Sequence, residues 1–257
     1  MNIYHIFTQT QRLRISDNNI VPILTNCESY NVLLILIWSQ LGDFDNLEYT
    51  WWLKRNLSQL QGITIRAIGI GDRNSGLKFC EYTGFPPEWL FVDPDAQLHQ
   101  ELGLYQGLSI KLPGFSPTQN AWVNFILMCA GIGSKGTLAE VFRGYIGDKN
   151  APQLIADQEI IHAKPLPPIK GSFFNSVGNG FQRPFELATL RLKNMTEVLS
   201  NWNTYCPNAA YLTQRGGTFL FDSQGNLLYE HRDLGILDFA ENKSQPLAFL
   251  NSFISPQ

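Results

Sequence analysis

Three acidic side chains crowd one short stretch of this chain. Asp43, Asp45 and Glu48 all lie in "LGDFDNLE" (41–48), a few residues after the apolar run "NVLLILIW" (31–38). Carboxylates this close can divide acid and base work between them or ligate a hard cation. The plainer reading is the acidic first turn of a helix, with Asp43, Asp45 or Asn46 capping free backbone amides. No nuclease or glycosidase framework accompanies them, so the helix-start reading is preferred.

The other reactive residue types are scattered. Cys27, Cys80, Cys129 and Cys206 form no CxxC and pair with no histidine at metal-ligand spacing, so no metal or other cofactor is expected. Cys80, among Phe79, Tyr82 and Phe85, reads as core, whereas Cys206, before Pro207 in a loop, is expected to be the exposed thiol. His5, His99, His162 and His231 are isolated, and no serine sits in a GxSxG elbow. "GIGDRNSG" (69–76) and "GIGSKGT" (131–137) both lack the glycine and lysine placement of a nucleotide-binding loop.

Positioning these residues falls to an alternating pattern. The run 31–38 reads as a strand buried on both faces, preceded by the β-prone "IVPILTNC" (20–27) within 20–29. "DNLEYTWWLKRNLSQL" (45–60) then reads as a helix, with Leu47, Trp51, Lys54 and Leu57 at helical intervals. Adjacent Trp51 and Trp52 cannot both face the core, so one is expected to be partly exposed or packed under a later segment.

A second strand (62–71), a helix from the Asp72 cap, a third strand in "EWLFV" (88–92) and a helix around 96–104 follow. This βαβαβα order implies a parallel sheet with right-handed crossovers. Residues 106–211 read as helical pieces between loops. Among them are "TLAEVFRGYIG" (137–147), with a Thr137–Glu140 capping box, and the amphipathic "FELATLRLKNMTEVLSNW" (185–202). "GGTFLFDSQGNLLYEHRD" (216–233) is a hairpin turning at 222–225, and "LGILDFAENKSQPLAFLNSFI" (234–254) reads as a closing helix broken near Pro246.

Composition bounds the rest. The 257 residues are 44% hydrophobic and 16% charged, enough for a core and against disorder. A net charge of -3 offers no basic field for nucleic acid. The N-terminus lacks a secretory signal, so a cytoplasmic protein is expected. The apolar run 121–133 is too short to cross a bilayer and is expected to be a buried helix, a peripheral membrane contact being the alternative.

Four patches give the chain a family likeness: "LILIWSQLGDFDNLE" (34–48), "WLFVDPDAQLHQELGL" (89–104), "FRGYIGDKNAPQ" (142–153) and "RGGTFLFDSQGNLLYEHRD" (215–233). On these the chain resembles the peroxiredoxin-like 2 proteins, an alkyl hydroperoxide reductase and thiol-specific antioxidant branch of the thioredoxin superfamily. The resemblance implies one thioredoxin-like α/β domain over 1–257, a mixed sheet flanked by helices, with a helical insertion at about 106–211 before the C-terminal hairpin. It also implies an attacking cysteine in the loop after the central strand, where a helix N-terminus stabilises a thiolate.

Setting Gly42 on the glycine of that loop places Asp43 and Asn46 where the two sulfurs would be. A carboxylate gains the same helix-start stabilisation as a thiolate but can neither reduce a peroxide nor exchange disulfides. Arg215 matches the arginine that peroxiredoxins keep beside the reactive sulfur. It is expected to anchor an anion or Asp43 itself, unless it is an ordinary surface residue.

The resulting expectation is a degenerate site of Asp43, Asp45, Asn46 and Arg215. It belongs to a redox-inactive protein that binds another protein as an accessory or assembly factor. Relatives in cyanobacteria and plastids make a photosynthetic complex the suggested partner. The alternative is an atypical thiol-dependent antioxidant using Cys206 or Cys80.

Overall fold

The apolar run after Asn31 becomes the central strand because both of its faces find cover. A computed structural model describes residues 2–27 and 30–253. In chain order it begins with α1 (Ile3–Gln9), β1 (Gln11–Arg14), β2 (Ile20–Pro22), the central β3 (Val32–Gln40) and α2 (Phe44–Arg55). Then come β4 (Ile63–Ile70), α3 (Arg73–Thr83), β5 (Leu90–Val92) and α4 (Gln97–Glu101). The middle of the chain holds α5 (Pro117–Cys129), α6 (Thr137–Ile146), a small β6–β7 ribbon (Ile160–Ile161, Ile169–Lys170), α7 (Glu186–Ser200) and α8 (Trp202–Tyr205). A hairpin of β8 (Gly217–Asp222) and β9 (Leu227–Arg232) completes the sheet.

Seven strands form one mixed sheet in the order β2-β1-β5-β4-β3-β8-β9. β3 and β4 run parallel, as do β4 and β5, while β8 pairs antiparallel with β3 and β9 antiparallel with β8. This is the mixed, helix-flanked sheet of a thioredoxin-like protein. Successive side chains of β3 point to opposite faces. Leu34, Leu36 and Trp38 join the core under α2, α3 and α7, and Leu33, Ile35 and Ile37 join a second core with Phe7, Leu98, Phe219 and Phe221.

Several local expectations are corrected. The strand signal at 20–29 yields only β2, with turns at 23–26; Ser29 lies outside the described residues. The opening helix α1 and strand β1 carried no strong periodic signal. α2 ends at Arg55, short of Leu60, and Leu57 is exposed. Trp52 is buried, and Trp51, half-buried, carries the Arg55 guanidinium over its ring at 4.2 Å.

Thr137 forms no capping box. Gly136 is the cap of α6, and the Thr137 hydroxyl instead donates to the carbonyl of Ile236. The expected closing helix is absent too: 234–253 holds only a short 3-10 turn at Ala248–Leu250, and Ile254 lies outside the described residues. Its backbone is claimed elsewhere, since Asp45 takes the Leu237 amide and Asp238 that of Leu234.

Candidate functional site

The corner between β3 and α2 is built from the end of the strand outward. Gly42 is required there by crowding, since a Cβ on it would sit 2.8 Å from Tyr205 Cβ and 3.1 Å from Cys206 Sγ. The next residue, Asp43, caps α2 by accepting from the Asp45 amide at 3.3 Å. Its other oxygen lies 2.7 Å from Arg215 Nη2.

Arg215 arrives from the opposite side, just before β8. Gly216 allows the approach, because a Cβ there would stand 2.1 Å from the Ile37 carbonyl oxygen. The guanidinium is only 1% exposed; its Nε donates to the Thr213 carbonyl and its Nη2 to that of Leu212. Burial works against its charge, but Asp43 and Asp45 outweigh that and raise its pKa. Arg215 is therefore a buried cation, not a surface residue.

Two further carboxyls complete the cluster. Asp45 lies 3.9 Å from Arg215 Nη1, and its two oxygens accept from the Leu237 amide at 2.7 and 2.9 Å. That contact holds Leu237 at a positive φ of 62°, a strained conformation for a branched residue. Asp233, at the end of β9, accepts from the Gly216 amide at 3.2 Å. Burial, with Asp43 close by, holds the Asp45 carboxyl well above the usual aspartate range, and burial raises Asp233 in the same direction. One guanidinium thus faces three carboxyls, two of which favour keeping a proton.

Asn46 turns away from this cluster. Its amide donates to the Gln40 carbonyl at 2.7 Å and ties the helix back to the strand end. Glu48 is separate as well, paired with Arg191 of α7 at 2.7 Å. The hard-metal reading of Asp43, Asp45 and Glu48 fails on that split. Among the described residues no group of three or more His, Cys, Asp or Glu is arranged to hold a metal ion.

The thiols need the largest revision. Cys206 is buried, with its sulfur against Gly42; burial and then Asp43 push its thiol up to about 12. Cys129, at the end of α5, is the exposed cysteine, and Asp43, Asp45 and Arg215 all act on its sulfur. Although the residue as a whole is exposed, the protein packed around its sulfur and then Asp43 push the thiol up to about 11. Cys80 is half-buried, and burial pushes it up to about 12.

A family model described as AhpC/TSA antioxidant enzyme matches residues 52–235. The chain belongs to that family. No curated protein matches it. The match takes in Arg215, Asp233, Cys129 and Cys206 and begins nine residues beyond Asp43. Within the AhpC/TSA scaffold, sequence reasoning missed Asp233 and Cys129. Asp233 lay in a strand-end sequence that looks solvated, and Cys129 at the end of an apolar run that looks buried.

Proposed function

We propose that this AhpC/TSA protein is redox-inactive and works as a protein-binding accessory or assembly factor. The reading rests on one observation: Asp43 caps α2, at the corner where the family resemblance would set a thiolate, and its carboxylate lies 2.7 Å from Arg215. A carboxylate has no oxidisable sulfur, and Nε and Nη2 of Arg215 are already taken by Thr213, Leu212 and Asp43, which leaves only the buried Nη1 without a hydrogen-bond partner. The neighbouring thiols are pushed toward the protonated, non-nucleophilic form. Four unbridged cysteines favour a cytoplasmic, reducing location within the same proposal. A photosynthetic complex remains the partner suggested by the family resemblance.

A second reading is supported by the packing of Cys206 against Gly42, which places a sulfur beside the corner. Under it, Cys206, or Cys80 further off, attacks peroxide in an atypical thiol cycle. Peroxide consumption with a thiol reductant separates the two. The first reading expects no turnover above buffer. Turnover that disappears in Cys206→Ser, Cys80→Ser or Cys129→Ser would overturn it.

A further inference from the structure

Helix α6 wears its amphipathic faces in reverse. Thr137, Glu140 and Gly144 are buried, whereas Leu138, Phe142, Tyr145 and Ile146, spaced i, i+4, i+7 and i+8, form an outward stripe. Phe142 is 63% exposed and Ile146 72%. The reversal has a cause. Glu140 must face inward to meet Arg191 at 2.9 Å and Arg143 at 2.7 Å, and a Cβ on Gly144 would already touch the α7 backbone at 3.5 Å. The polar face is thus consumed by the fold and the apolar one is left out.

Along the segment that carries the stripe, the exposed charges have one sign. Between Gly131 and Asn150 the exposed charged residues are Lys135 and Lys149, one beyond each end of the helix. Glu140 is buried, and Asp148 is held by Arg143 at 3.1 Å. Beside the stripe, Tyr145 and the exposed Phe185 stack edge to face at 5.8 Å. They rim an apolar groove of about 310 Å³ floored by Phe44 and Leu192. Arg191 also borders this groove, but it is taken up by Glu48 and Glu140, so no charge there awaits a partner.

We infer that the α6 face seats on an anionic lipid surface, the stripe entering the acyl boundary while Lys135 and Lys149 reach the headgroups. A helix apolar on one side and bracketed by lysines matches an interfacial segment, where amphipathic lysines keep their ammonium groups at headgroup level. A second copy fits less well. Antiparallel α6 helices would set Lys135 against the partner's Lys149, and parallel ones would set like against like. Of the stripe residues only Tyr145 carries a polar group, its hydroxyl, which suits a fluid surface better than a shaped protein.

Sedimentation of the full chain with vesicles tests this. Vesicles of phosphatidylglycerol and phosphatidylcholine in equal parts should carry the protein down, and pure phosphatidylcholine far less, with binding weakened by added salt. Phe142→Ser/Ile146→Ser and, separately, Lys135→Glu/Lys149→Glu should each lower binding on the order of tenfold or more while leaving the circular dichroism unchanged. Absent sedimentation, equal binding to both vesicle types, or unaltered binding by either double variant overturns the inference. So does a dimer by light scattering that the Phe142→Ser/Ile146→Ser change dissolves.

Discussion

Asp43, Asp45, Asp233 and Arg215 show how side chains far apart in sequence set one another's protonation. A free aspartate ionises near pH 4, while burial holds Asp45 well above that range. As pH rises past about 4 the unfolded chain gives up its proton and the folded one keeps it, so the native state binds more protons and loses stability with rising pH. The loss continues until the folded Asp45 itself ionises, at up to about 1.4 kcal/mol per pH unit for each such group. Asp45→Asn keeps a neutral acceptor for the Leu237 amide and removes the ionisable group. The variant should show a visibly shallower fall in melting temperature between about pH 5 and about pH 8 than the parent. A slope identical to the parent's would mean that Asp45 is already ionised in the folded protein.

Strands and helices were legible where a periodic signal met no competitor. The βαβαβα order and the terminal hairpin follow from apolar runs bounded by glycine and aspartate, and the Gly42–Asp43 corner from a strand that stops where a cap begins. The closing helix misled because apolar spacing alone cannot reveal that Asp45, nearly two hundred positions away, captures the Leu237 amide. Cys206 misled for a similar reason: its loop-like sequence gave no sign that α8 packs it onto Gly42. The junction of β3 and β8 shows the same dependence on distant contact. Gly216→Ala would drive a methyl into the Ile37 carbonyl of the neighbouring strand, a backbone atom that cannot rotate away. We expect destabilisation of about 3 kcal/mol, read as a lower urea midpoint, because overpacking at a rigid neighbour falls at the upper end of the usual range. A loss under about 0.5 kcal/mol would mean that the strands can part at this point.

Across the whole molecule, two apolar cores share one sheet, and β3 contributes to both. The helices between α4 and β8 are tied in as well, through Trp122 and Trp202, whose rings lie 4.7 Å apart, and through the Glu48–Arg191–Glu140 ion pairs. Unfolding one core should therefore expose the other. Tryptophan fluorescence and far-ultraviolet circular dichroism should give superimposable denaturation curves, whereas two separated midpoints would divide the chain into independent units. The pairing of Ile37 with Gly217 has a consequence for how the protein is made. On the ribosome, at about 5–20 residues per second, the open edge of the central strand waits on the order of ten to forty seconds for its partner to emerge. Throughout that interval a long apolar edge can recruit the wrong strand, so this nascent chain should lean on holdase chaperones until the hairpin arrives.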